Sequence, residues 1–374
     1  MVGRKAFKMS YIPGVADWTQ VQHGLAFLPA LGSFVTDVTR ARRADPQPQS
    51  LPGAEIEPES ATPGPPLPMN SSTTTAPRAG ESLRAALAAA ASATEAALDR
   101  LAPQPHGLHG RVQEAMRYAL FAGGKRLRPF LVLQSAALFD APAEGAIRTA
   151  AAIEALHTYS LVHDDLPCMD DDDLRRGQPT THKKFDEATA VLAGDALLTL
   201  AFELLVDPAT HPSAEIRCAL AARLGQAAGS EGMIGGQMID IEAETRSFGK
   251  DETILLQRMK TGALFEFSCE AGPILGGRGE DDRRRLREYA RDIGLAFQIV
   301  DDLIDVTGTA EKAGKQVGKD QAQGKATLVS LYGVDGARKE ARRLAERTVE
   351  TLSPYGHAAD QLRALPFYLL DRES

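Results

Sequence analysis

The chain has 374 residues, 43% of them hydrophobic and 25% charged, enough to bury a large core in one or two domains. A formal charge of -8 argues against nucleic acid as an obligate partner, since phosphate-backbone binding wants a basic surface. The three cysteines, Cys168, Cys218 and Cys269, are odd in number and lack CxxC spacing, which argues against a disulfide framework or a structural zinc and predicts a reducing, cytoplasmic setting.

Residues 1–43 carry Arg4, Lys5, Lys8, Arg40, Arg42 and Arg43 but no contiguous apolar core of a secretory signal. Their most apolar stretch, GLAFLPALGSFV, is split by Pro29, and no run approaches the ~18 residues of a membrane span, so no obligate membrane association is expected. Residues 46–77 then hold nine of the twenty-two prolines among Ser, Thr and Gly, a mixture that cannot bury enough apolar surface to offset its ordering entropy. Residues 1–80 are therefore expected to form a largely disordered extension, with Met69 a candidate alternative start.

From residue 81 to residue 374, Ala, Leu, Glu and Arg dominate and apolar residues recur at helical spacing. β-branched runs with hairpin turns are missing. The prediction is one all-α domain, a helical bundle. Near its start, GGKRLRP (residues 123–129) sets three positive charges in four residues beside a flexible double glycine, apt for an anion; the plain alternative is an exposed basic turn.

The stretch LVHDDLPCMDDDDLRRG (residues 161–177) crowds six aspartates into ten positions and follows them with Arg175 and Arg176. His157, Ser160 and Asp164 fall on one helical face, whereas Asp170 would point about 120° away on a continuous helix. Pro167 lacks an N–H and clashes with the preceding turn, so the helix must distort there, and a kink would return Asp170 to the side of Asp164 and Asp165. Asp171, Asp172 and Asp173 also suit an ordinary acidic loop. Cys168 lies inside this segment; a small buried thiol is the expected case.

In GLAFQIVDDLIDVTG, Gln298, Asp301, Asp302 and Asp305 stand at i, i+3, i+4 and i+7, one stripe on an otherwise apolar helix. A solvated face would mix signs, but this one offers three carboxylates. Like carboxylates held close raise one another's pKa unless a cation sits between them, and hard oxygen donors suit Mg²⁺, which takes its remaining ligands from water and substrate phosphates. Two such clusters, together with the two arginines that follow the first, predict metal-held diphosphate, with the guanidiniums taking phosphate oxygens.

Together with GDALL, GGQMID, KTG (residues 260–262) and GKATLVSLYG, these motifs stand in an order that resembles the trans-isoprenyl diphosphate synthase family, most of all its bacterial farnesyl diphosphate synthase group. The resemblance spans roughly residues 85–370. It implies an all-helical fold with opposing aspartate motifs at the mouth of a deep central cavity, usually in a homodimer. It implies metal binding by Asp164, Asp165, Asp170, Asp301, Asp302 and Asp305, to three magnesium ions with substrate bound, or to manganese. By the same resemblance Lys125, Arg128, His157 and Arg176 take isopentenyl diphosphate, and Arg175, Lys260, Thr261, Gln298, Lys315 and Lys325 take the allylic diphosphate. Asp164, Asp170, Lys260 and Asp301 carry the catalytic role. Tyr159, with Ser160, is implied as the floor that limits product length and favours fifteen carbons, against an ordinary core tyrosine. The alternatives kept open are a geranylgeranyl diphosphate synthase, a terpene cyclase and a catalytically silent helical partner subunit. Glu154-x-x-His157 matches half of a di-iron signature but has no second copy. DDRRRLRE (residues 281–288), with its alternating signs, reads as a solvated helix surface.

Overall fold

The computed structural model describes residues 79–307 and 327–371. Residues 1–78 of the expected extension, and the candidates Lys315 and Lys325, lie outside the described residues. Helix α1 (Ala79–Leu101) is built from alanine and leucine, the strongest helix formers. It is followed by α2 (Gly110–Leu120), α3 (Leu127–Ala137) and α4 (Ala143–Asp164).

Helix α4 is the centre of the domain. Ala150, Ala151, Ala152, Ile153, Ala155 and Leu156 have no exposed surface, as a helix apolar on every side requires. Around it pack α3, α6 (Glu187–Val206, which follows the single-turn α5, Thr181–Lys184) and α10 (Ala263–Leu275), in which every residue from Leu264 to Leu275 is buried. Helix α7 (Ala214–Ala228) covers α10 from one side and α11 (Glu280–Thr307) from another. Between α7 and α10 run α8 (Met233–Ala243) and α9 (Lys250–Gln257). Helices α12 (Leu328–Thr351) and α13 (Asp360–Leu370) complete the described residues, with α12 lying along α11. The Asp186 side chain caps α6 by accepting from Thr189 N–H at 2.7 Å, and Thr327 with Ser330 forms a capping box on α12.

Three sequence expectations are corrected. A short hairpin interrupts the helices: Leu174–Arg175 (β1) pairs antiparallel with Gln178–Pro179 (β2). Its two turn residues, Arg176 and Gly177, both take positive φ (54° and 78°), as a two-residue hairpin turn demands. Two strands of two residues each are too short to show a period in sequence. Second, α6 is long and apolar enough to cross a membrane by length and composition, with Asp195 and Glu203 masking the run to the eye. Half of it is buried, with Ala193, Leu197, Ala201 and Leu205 fully enclosed in the core that includes α4. Third, DDRRRLRE is not merely a solvated surface. Arg283 and Arg287 reach the fully buried Glu270 of α10 at 2.9 and 2.6 Å, and Arg223 of α7 joins them at 2.5 Å. A buried carboxylate needs such partners, and losing them is costly.

Candidate active site

Helix α4 stops at the first aspartate motif for the reason its sequence suggests. Leu166 N–H reaches back only three residues, to His163 C=O at 3.2 Å, Pro167 has no N–H to give, and the chain turns. Asp170 N–H then donates to Asp164 C=O at 2.8 Å. The expected distortion is thus a helix end and a tight return, which brings Asp170 back beside Asp164. Burial pushes the Asp164 carboxyl up to about 6; Lys260 opposes the shift and Asp170 adds to it. Cys168, expected to be buried, is exposed on this loop.

Asp165 is placed differently from the expectation. It is 3% exposed and bonded twice by the Arg175 guanidinium, whose Nε donates at 2.9 Å. Arg175 also lies 3.5 Å from Asp172. In this structure Asp165 serves to hold Arg175 and the hairpin, and Arg175 is oriented by carboxylates.

The basic side of the site forms where two loops meet. A Cβ at Gly124 would lie 2.4 Å from Arg176 Nη1, so the Arg176 guanidinium rests on the bare glycine backbone. That contact explains the second glycine of GGKRLRP, which also sits at φ +137°. Arg128 stacks over Phe265, 5.2 Å from the ring centroid, and burial lowers its pKa to about 10. Its Nε is buried with no hydrogen-bond partner among the described residues. Burial, then the charges of Arg128, Arg176, Arg126 and Arg175, lower the His157 pKa well below its ordinary value. Lys125 is exposed. Arg126, counted in sequence simply as one of three charges, is 2% exposed and paired to Glu154 at 2.6 Å. Glu154 is therefore half of an ion pair and not of a di-iron site.

Opposite stands a π-helical segment, Arg258–Gly262, between α9 and α10. One such wide turn commonly marks a functional position. Here it presents Lys260 and Thr261. Lys260 Nζ donates to Asp240 of α8 at 2.5 Å, and the charges of Asp240, Asp164 and Asp170 raise its pKa against burial. Asp240 is a site residue that sequence reasoning quoted within GGQMID without assigning it. Its spacing of four from Gly236 was the available signal. A Cβ at Gly236 would lie 2.2 Å from the Lys260 backbone nitrogen, so α8 and the π segment touch backbone to backbone.

Thr261 Oγ1–H donates to Gln298 Oε1 at 3.2 Å, and Gln298 Nε2 donates to Asp302 Oδ1 at 3.3 Å. The other Asp302 oxygen accepts Leu328 N–H at 2.8 Å, fastening the start of α12 to α11. Asp302 is 3% exposed and Asp305 6% exposed, whereas Asp301 is half-buried. The even stripe read from sequence is thus differentiated by tertiary contacts: Asp302 fastens α12 to α11. Tyr159 is buried, edge-on to His163 with centroids 5.5 Å apart, and burial with Asp164 and Asp195 pushes its hydroxyl up to about 12. Ser160 donates to His157 C=O at 2.8 Å.

Among the described residues no three His, Cys, Asp or Glu side chains are gathered closely enough to hold one metal ion alone. The donor chemistry nonetheless fits magnesium, since Asp164 and Asp170 are hard, mutually repelling oxygen donors and this ion takes much of its shell from water and phosphates. Both aspartate motifs meet at the π segment, the first through Lys260 and the second through Thr261 and Gln298.

An all-α bundle that sets Asp164, Asp170 and Asp240 around one lysine, with a separate cluster of arginines, fits a prenyltransferase of the isoprenoid synthase fold. The chain belongs to the polyprenyl synthetase family, whose model matches residues 109–360. It is 48% identical over 252 residues to the farnesyl diphosphate synthase of Geobacillus stearothermophilus, covering 66% of this chain and 84% of that one. The geranylgeranyl diphosphate synthase of Cyanophora paradoxa is 41% identical, covering 72% and 90%. A solved FPP/GFPP synthase from Zymomonas mobilis superposes with a TM-score of 0.72 at 46% identity, covering 78% of this chain and 99% of that one.

Proposed function

We propose that this chain condenses isopentenyl diphosphate head-to-tail with dimethylallyl and then geranyl diphosphate, giving farnesyl diphosphate. The observation that carries the reading is the meeting of the two aspartate motifs on Lys260 and Thr261, with Arg128 and Arg176 gathered about His157 in a separate basic cluster that suits a second diphosphate. A terpene cyclase, which ionises one diphosphate, has no use for the second site. The names of the relatives at 45–48% identity support the fifteen-carbon product.

Asp164, Asp170, Asp301 and Asp305 would hold magnesium. When bound, the ion neutralises charge on a leaving diphosphate as a Lewis acid. Lys260, held by Asp240, points its ammonium at the same diphosphate, where preorganised charge is most effective. Arg128, Arg176 and His157 orient the second diphosphate, so its double bond attacks from a fixed position. Tyr159 bounds the growing chain from the core side. A homodimer and a cytoplasmic location complete the proposal. Val191 and Leu192 of α6 are 40% and 57% exposed, and Leu192 lines an open groove of about 640 Å³ between α6 and α2 that a second copy would cover. Light scattering and cell fractionation test these two points.

Incubating the purified protein with magnesium, isopentenyl diphosphate and dimethylallyl diphosphate tests the reaction. A fifteen-carbon product abolished by a chelator is expected. A twenty-carbon product would favour geranylgeranyl synthesis, and product formed from the allylic substrate alone would point to a cyclase.

A further inference from the structure

A carboxylate stands where the positive charges gather. Glu154, one helical turn before His157, is 2% exposed, and its Oε1 accepts from Arg126 Nη1 at 2.6 Å. The Arg126 side chain is wholly enclosed: Nη2 donates to Leu120 C=O at 2.6 Å, at the end of α2, and Nε lies 3.4 Å from Glu95 of α1. Arg126 takes φ 48°, a left-handed conformation unfavourable for a side-chain-bearing residue, so its contacts must hold it there. Glu154 also acts through space, its charge favouring the protonated forms of Arg128 and Arg176, while Arg126 works against Arg176 and His157.

Clustered guanidiniums cannot relieve their repulsion by losing protons, because arginine stays charged in proteins. A counter-ion must do it. We propose that Glu154 is a built-in counter-charge and positioning residue for the second diphosphate site, holding Arg126, Arg128 and Arg176 together and, by cancelling part of their field, limiting how tightly a diphosphate is held. The ligand class rests on the function proposed above. Two opposite consequences follow from one charge: removing it destabilises the protein, since it strands a buried guanidinium, and strengthens anion binding, since it leaves the field unopposed. A residue that merely props the fold would show the first effect without the second.

The test is Glu154→Gln in the full chain, with inorganic diphosphate titrated calorimetrically in magnesium-free buffer containing EDTA. The melting temperature without diphosphate should fall. Diphosphate affinity should rise by about threefold or more, and the melting shift on adding diphosphate should grow with it. Arg126→Gln should move affinity about as far the other way, and it keeps the proposal testable if Glu154→Gln does not fold. The double variant, which removes both charges, should return affinity to within about twofold of the parent. In turnover, Glu154→Gln should lower KM for isopentenyl diphosphate and leave that for the allylic substrate unchanged. Unchanged or weaker diphosphate binding by Glu154→Gln, unchanged binding by Arg126→Gln, or no binding by the parent overturns the proposal. A parent that binds diphosphate and responds as described, yet makes no prenyl product, would instead refute the proposed function.

Discussion

Gly236→Ala tests how the site is assembled. The added Cβ would stand 2.2 Å from Lys260 N, 2.6 Å from Lys260 Cα and 2.8 Å from Met259 C, all backbone atoms that cannot swing aside. Reaching even 3.0 Å requires α8 to retreat by about 0.8 Å from the π segment. That motion pulls Asp240 from Lys260 and turns the ammonium away from Asp164 and Asp170. A displacement of about 1 Å in catalytic geometry costs on the order of 10²-fold in rate, and overpacking of this kind destabilises by about 1–3 kcal/mol. The expected result is kcat reduced about 10²-fold with a melting temperature lower by about 2–10 °C. Gly225→Ala, within α7, is the control: beyond its own helix backbone the nearest atoms to its Cβ are those of the Phe202 ring, 3.9 Å away, so activity should stay within about twofold and stability should rise slightly. Steady-state condensation assays and calorimetric melting measure both. A folded Gly236→Ala protein with parental kcat would refute the claim that this backbone contact positions Lys260.

Asp164→Asn should lower kcat by about 10²-fold or more and weaken activation by magnesium; a parental magnesium titration would remove Asp164 from the metal site. Asp302→Ala should act mainly on stability. It strands the buried Leu328 N–H, at a cost of about 1–3 kcal/mol and a melting decrease of about 2–10 °C, whereas a metal-ligand role would cut kcat steeply with little change in melting. Tyr159→Ala should lengthen the products resolved by chromatography, and an unchanged product spectrum would reject its role as a floor.

The motif positions were legible in sequence because their constraints are local. The helix end at Asp164 follows from Pro167 and the spacing of Asp170, and the α11 stripe follows from helical periodicity at Gln298, Asp301 and Asp305. What each carboxylate does was not legible. Asp164 and Asp165 are neighbours of the same type, yet one lies in the field of Lys260 and the other is bonded to Arg175. Asp301 and Asp302 are likewise adjacent, yet Asp302 is buried and accepts the Leu328 N–H of α12 while Asp301 is half-buried.

By itself the sequence determined that this protein is helical, that it concentrates carboxylates at two places and cations at a third, and which residue types face one another along each helix. Those properties depend on backbone periodicity and on neighbours a few positions away. Only the tertiary structure decided that Glu154 balances Arg126, that Asp240 holds Lys260 and that Glu270 collects three arginines. Each of these pairs joins residues 13 to 47 positions apart, and a charge buried by folding takes as partner whichever opposite charge the packed helices bring within reach.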